Sequence, residues 1–269
     1  MMQMVELLFR HRPTWDCAAV KARAQEILRS ELDSSDPRDA DKAFSIFHKD
    51  HPVKYTNGEV PAQTAILATD QSPKPEDYKH DIEQSWRCRG ALELLRGCIE
   101  TRMVTEMMAR PLTPRDRVSI FHGVLRAMIE VTSPAALVFK HSQQVIEPSD
   151  YLAARDQDPI LRPGSLNVRF FNISNSDGDM VMDTRGLEDV GLHDLQCHFR
   201  ELNPTEVARV LFNTGVYIFE KGPIIESGQT VEGIEPGSKW RCQFENSLLD
   251  PKRELMDLNP GEPYAAGKR

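Results

Sequence analysis

The chain has 269 residues, 40% of them hydrophobic and 28% charged, and 33 Lys and Arg against 41 Asp and Glu leave a net charge of −8. This balance describes a folded chain able to bury a sizeable core, and the acidity works against unspecific binding to phosphate backbones or anionic lipid. The N-terminus lacks the apolar core and cleavage site of a signal peptide, and no stretch nears the roughly 18 apolar residues of a membrane span. The expectation is a cytoplasmic protein with neither nucleic acid nor membrane as partner.

Met4 to Arg10 reads as a strand. Val20, Ala24, Ile27 and Leu28 then recur at helical spacing behind Asp16, which predicts a helix from Asp16 to Leu32. "AFSIFH" (Ala43 to His48) and "QTAILAT" (Gln63 to Thr69) read as strands separated by a turn at Asn57-Gly58. The Pro-rich "DQSPKPEDY" leads to a helix from Tyr78 to Arg96, stopped by Gly97, and a strand from Thr101 to Met107. Strand, helix, strand, strand, helix, strand is the order of a split β-α-β unit. Residues 1–110 are therefore expected to form a ferredoxin-like (βαββαβ) half, an antiparallel sheet with its helices on one face.

Thr113-Pro114-Arg115-Asp116 opens a helix whose apolar stripe is Val118, Phe121, Leu125 and Met128. Ala136 to His141 reads as a strand and Pro148 to Arg155 as a short helix. Leu166 to Ile173 and Met180 to Thr184 form a hairpin through Asp177-Gly178. Asn203-Pro204-Thr205-Glu206 starts a second amphipathic helix, with Val207, Leu211, Thr214 and Ile218 on one face and a stop at Gly222-Pro223. Gln229 to Val231 and Trp240 to Phe244 are the last strands expected, before an irregular tail "LNPGEPYAAGKR". Residues 111–269 thus read as a second, related α+β half packed as one unit with the first, and the fold class is α+β.

The stretch Leu195 to Phe199, "LQCHF", sets a thiol beside an imidazole. Side chains alternate along a strand, so Leu195, Cys197 and Phe199 share the apolar face and Gln196 and His198 the polar one. A nucleophile and base, or two ligands of one metal, do not sit on opposite faces. Trp240, Cys242 and Phe244 repeat the pattern, so both cysteines read as core residues, with a redox pair open only if they are cross-strand neighbours. Five cysteines without a CxxC pair suit reduced thiols.

His48 and His51 lack the further ligands a zinc site needs and read as solvated turn residues. Asp177, Asp179 and Asp183 lack EF-hand spacing. Arg87, Arg89 and Arg96 read as a solvated helix face, and Trp86 equally as a partner contact or as core. The sequence carries no GxSxG, Walker, GxGxxG or HExxH motif. It therefore indicates no catalytic residue, cofactor or metal.

"LNVRFFNI", "MVMDTRGLEDVGLHDLQCHF", "VARVLFNTGVYIFEKG" and "KWRCQF" together resemble the bacterial family known as domain of unknown function 4261. The resemblance rests on Thr184, Gly186, Leu187, Gly191, Leu192, Gly222, Gly228 and Thr230, extends from about Ile82 onward and is strongest between Leu166 and Phe244. It implies no catalytic residues. By fold-level analogy it points to protein binding, in an immunity or accessory role. The contacts expected are outward-facing polar groups on strands, namely Gln196, His198, Arg241 and Gln243. An enzyme or small-ligand binder using His198, Asp183 or Arg169 between the halves is the alternative reading, and a subunit of a bacterial assembly is a third.

Overall fold

The computed structural model of the protein describes residues 2–14, 16–39, 42–56, 58–69 and 72–267. Asn57 of the expected turn, Asp70 and Gln71 of the Pro-rich loop, and Lys268 and Arg269 of the tail lie outside them. The chain divides into two compact units, Met1–Ser165 and Leu166–Arg269. Each has its own sheet, and the class is α+β. Among the described residues no helix is long and apolar enough to cross a membrane.

The first unit runs β1 (Met4–Phe9), α1 (Cys17–Leu28), β2 (Leu32–Ser34), β3 (Ala43–Tyr55), β4 (Gly58–Ala68), α2 (Lys79–Glu83), α3 (Ala91–Leu95), β5 (Glu100–Met107), α4 (Pro114–Thr132), β6 (Ala136–Phe139), β7 (Gln144–Ile146) and α5 (Pro148–Ala153). Its sheet has the order β2-β3-β4-β5-β1-β6-β7, with every neighbouring pair antiparallel. This corrects two expectations.

The elements of a ferredoxin-like unit are present, but β4 and β5 are antiparallel neighbours, so the helices between them span a return rather than a β-α-β crossover. The boundary also falls at Ser165 instead of residue 110, because β6 pairs with β1 and extends the first sheet.

Helices cover both faces of this sheet, not one. Val5, Leu7, Phe44, Ile66 and Val104 form a core with α1 and α4, while Leu8, Ala136, Val138 and Val145 bury against Tyr78, Ala91 and Leu95 on the other side. Strand residues on successive positions point oppositely, so apolar groups on both faces require two covers. Gly123 of α4 lets the Leu28 side chain of α1 approach so closely that a Cβ there would lie 2.3 Å from it.

The expected helix from Tyr78 to Arg96 is broken into α2 and α3. Ser85 donates its hydroxyl to the Asp81 carbonyl at 2.5 Å and receives the Val145 amide at 2.7 Å, fixing a turn where the helix would continue. His48 is a further correction. It is fully buried in β3 and bonds Thr64 through Nε2 at 2.9 Å, and burial, then neighbouring His51, pushes its pKa down to about 4.

The second unit comprises β8 (Asn167–Asn172), β9 (Met180–Arg185), β10 (Leu195–Phe199), α6 (Pro204–Lys221), β11 (Thr230–Glu232), β12 (Lys239–Asn246) and β13 (Glu254–Asn259), in the sheet order β11-β12-β13-β10-β9-β8. α6 begins as the sequence predicts, with Asn203 accepting the Thr205 amide at 2.9 Å. It packs Val207, Leu211, Gly215 and Ile218 toward the sheet face formed by Met182, Leu195, Cys197 and Cys242. A strand not expected from the sequence, β13, runs into the first two residues of the tail read as irregular, Leu258 and Asn259, and is central, pairing parallel with β10 and antiparallel with β12.

Candidate functional site

The sheet face turned away from α6 carries one row of polar residues across five strands. Arg169 lies opposite Asp183, Asp183 opposite Gln196, Gln196 opposite Asp257, and Asp257 opposite Gln243. Only Gln243, on β12, is exposed. The segment between β12 and β13 shields the rest. Its Leu248 amide donates to the Gln196 side chain at 3.0 Å, and its Asp250 carbonyl accepts from Arg169 at 3.2 Å.

Asp183 is the centre of this row. It has no exposed surface and accepts from Arg169 Nε at 2.8 Å, Arg169 Nη2 at 2.5 Å and Arg253 Nη2 at 2.9 Å. Arg253 also donates to the Thr184 carbonyl at 3.0 Å and sets Nε 3.4 Å from Asp194. Asp194 accepts the Thr184 hydroxyl at 3.0 Å and the Leu187 amide at 3.2 Å. A buried carboxylate that receives two guanidinium groups is fixed in one orientation.

Burial pushes the Asp194 pKa up to about 6 against the opposing pull of Arg253 and Arg185, and pushes Asp189 up to about 7 against Arg185. Raised carboxyl groups are what a general acid needs. Here, however, Asp183, Asp194 and Asp257 have no solvent-exposed surface, so the chemistry available to them is cross-linking β8, β9, β10 and the 247–253 segment.

A different feature of this unit does meet solvent. Between one flank of α6 and strand β11 lies a groove of about 720 Å³. Val210, Tyr217, Ile224, Val231 and Ile234 give it apolar walls, and Tyr217 and Ile224 are 45% and 50% exposed. β11 ends the sheet, and among the described residues no strand pairs with its outer edge. The Gly233 amide bonds the Ser238 carbonyl, and the Cys242 amide bonds the Gln229 carbonyl. Inward bonding recurs every second residue in an antiparallel ladder, so Thr230 and Glu232 turn their backbone N–H and C=O away from β12, along the open edge.

Residues 183–259 match the family model described as Domain of unknown function (DUF4261). The DUF4261 segment starts at Asp183 itself and holds the end of β9, β10 to β13, α6, Arg253 and the groove, leaving β8, Arg169 and the first half of β9 outside. The match is narrower than the resemblance read from the sequence, which reached back to about Ile82. No curated protein and no solved structure was found to match the chain.

The residues singled out in the sequence fall in the second unit but do not form one surface. Gln196, expected to face outward, is buried and bonds Asp257 at 3.4 Å and the Leu248 amide. Alternation assigned it correctly to the polar face, yet that face is itself covered by a polar segment. His198 is half-buried, with Nε2 3.8 Å from Asp179. Arg241 and Gln243 are exposed on β12, Arg241 lying opposite Thr230 of β11.

Cys197 and Cys242 are both buried, and β13 runs between their strands, so they are not the cross-strand neighbours a redox pair requires. Arg169 and Asp183, the alternative ligand-binding groups, bond each other inside the second unit. Sequence reasoning missed Arg253 and Asp194 entirely. The only signal was their type, charged residues near a strand end, which ordinarily marks solvent.

Proposed function

We propose that this protein is a cytoplasmic protein-binding protein, acting in an immunity or accessory role, and that the DUF4261 segment carries the contact surface. The observation that carries the reading is the groove between α6 and β11, where half-exposed Tyr217 and Ile224 stand beside an unpaired strand edge. Aromatic and aliphatic groups at the centre of a concavity are the usual anchors of protein interfaces. An open strand edge adds main-chain donors and acceptors that a protein partner satisfies. Arg241 and Gln243 are the sequence-expected contacts that stay on the surface near this edge.

Acidity supports the same reading. Residues 166–269 hold 11 Lys and Arg against 17 Asp and Glu. Such a surface steers a basic partner and selects against an acidic one. The five free cysteines accord with a reducing compartment.

The test is in-cell photo-crosslinking with a photoreactive residue placed in turn at 217, 224, 241 and 243, and at exposed Arg38 of the first unit as control. A discrete protein adduct from 217 and 224, absent from the control, is the expected result. Adducts only from the control position, or none anywhere, would overturn the proposal.

A further inference from the structure

We infer that the first unit pairs with a second copy of this chain, through the part of its sheet face that α2 and α3 leave uncovered. This goes beyond the protein-binding reading above, which concerns the other unit.

Val5, Phe44, Ile46, Ile66 and Val104 belong to the face buried by α1 and α4. Alternation turns the residues between them to the opposite face. There α2 and α3 cover Leu8, Val138 and Val145, and among the described residues none of β3, β4 or β5 joins that core. Strand register sets the uncovered residues in three rows. Phe47, Gln63 and Met107 form the first, Ser45, Ala65, Thr105 and Met4 the second, and Ala43, Leu67, Met103 and Glu6 the third. Met2 continues the first row, with its Sδ 3.3 Å from Thr105 Oγ1.

Met2 and Met107 are 49% and 41% exposed, and Phe47, Leu67, Met4 and Met103 are half-buried. Glu6, at one corner, is the single charge in the three rows. The solvated face of an antiparallel sheet is ordinarily polar, and a contiguous apolar one marks an interface.

The occupant follows from shape and from charge. β5 and the start of β1 carry the long thioethers Met2, Met4, Met103 and Met107, whereas β3 and β4 carry the short Ala43, Ser45 and Ala65. A two-fold axis between β4 and β5, parallel to them, lays each row end for end on its own copy. Met4 then meets Ser45 of the other copy, Thr105 meets Ala65, and Phe47 meets Met2. Long side chains thus fill the hollows over short ones, and a thioether meets an aromatic ring.

Residues 1–165 hold 22 Lys and Arg against 24 Asp and Glu. Two such units approach without strong repulsion, and the uncharged rows offer a basic or an acidic partner nothing to select. Glu6 meets Ala43 in the two-fold arrangement, so no like charges are set opposite each other. Strands about 4.8 Å apart and residues about 3.4 Å apart make the face roughly 400 Å² in projection. That is about half of what one partner contributes to a stable complex, so the dimer belongs to the weak, reversible class.

Sedimentation velocity of the full chain from about 1 to about 300 μM tests this, and a concentration-dependent shift from monomer to dimer is expected. Sulfate should strengthen the dimer, as it does apolar contacts. The two-fold sets position 107 of one copy against position 63 of the other. Met107→Lys and Gln63→Glu should therefore each weaken the dimer at least about tenfold, with circular dichroism unchanged. An equimolar mixture of the two variants sets the new ammonium against the new carboxylate and should restore a dimer.

A monomer at every concentration, a dimer indifferent to both variants, or a mixture of them that stays monomeric would overturn the inference. A monomeric chain whose position 107 crosslinks to a different protein would assign the face to that protein and equally refute self-pairing.

Discussion

Asp183→Asn isolates the charge at the centre of the second unit's polar row. The side chain keeps its size and one acceptor, but two buried guanidinium groups, Arg169 and Arg253, lose their shared carboxylate. Arg169 retains the Asp250 carbonyl, while Arg253 retains the Thr184 carbonyl and the nearby Asp194. Removing one partner of a buried ion pair costs about 3–5 kcal/mol, because the stranded charge keeps its desolvation penalty. Opening free energies of β9 and β10 should fall by that amount, lowering amide hydrogen-exchange protection by roughly two to three and a half powers of ten.

The double variant Asp183→Asn with Arg169→Met should cost less than the sum of the single changes, since it removes one of the stranded charges. A loss of protection under about threefold in Asp183→Asn would show that water or Asp194 replaces the carboxylate, and the account of this cluster as the cross-link of the sheet would be wrong.

Further outcomes follow from other buried groups. Asp189 and Asp194 have folded pKa values raised by burial to about 7 and about 6 from an ordinary 3.8, so between about pH 4 and 7 the folded chain holds more protons than the unfolded one. Their contribution is therefore fully present at low pH and is lost as pH rises through 6 and 7. The urea midpoint of the wild type should fall across that window more steeply than that of Asp194→Asn, and an equal slope would refute the assignment.

In the first unit, fully buried His122 bonds the Tyr151 hydroxyl at 2.8 Å through Nδ1 and Ser165 Oγ at 3.2 Å through Nε2. Tyr151→Phe should destabilise by about 1–3 kcal/mol in chemical denaturation, by leaving Nδ1 unpaired. Thiol titration of the native protein should label half-buried Cys88 first, and fast labelling of Cys197 or Cys242 would contradict their burial.

Local chemistry made much of this fold legible before any coordinates. Thr113 and Asn203 cap α4 and α6 through their side chains as their sequences imply, and the apolar stripes of both helices face their sheets. What escaped were non-local pairings. Nothing local to "ELMDLN" announces a central strand, because Asp257 interrupts the apolar run that a buried strand usually shows and Pro251 and Pro260 flank it. The partner of β4 depended on which edge β1 would choose, and alternation is silent about that.

The candidate site was half legible for a related reason. Alternation separated Gln196 from Cys197, but whether a polar face meets water depends on a cover supplied some fifty residues later, by the segment that carries Leu248 and Asp250. The groove itself follows from a strand edge left open and from the course of α6, and neither is encoded by a motif.

The parallel pairing of β10 with β13 bears on how the chain assembles as it emerges from the ribosome. β8, β9 and β10 are made first, and β10 then presents an uncapped apolar and polar edge while α6, β11 and β12 are still being synthesised. Only Glu254–Asn259 joins the two-stranded flank β11-β12 to the three-stranded flank β10-β9-β8 in one sheet. Pairing across so long a separation carries a loop-closure cost before any contact rewards it. The second unit therefore locks in a single late event rather than growing strand by strand, and a ribosome-stalled chain ending before Glu254 would expose a sticky half-sheet that recruits chaperones.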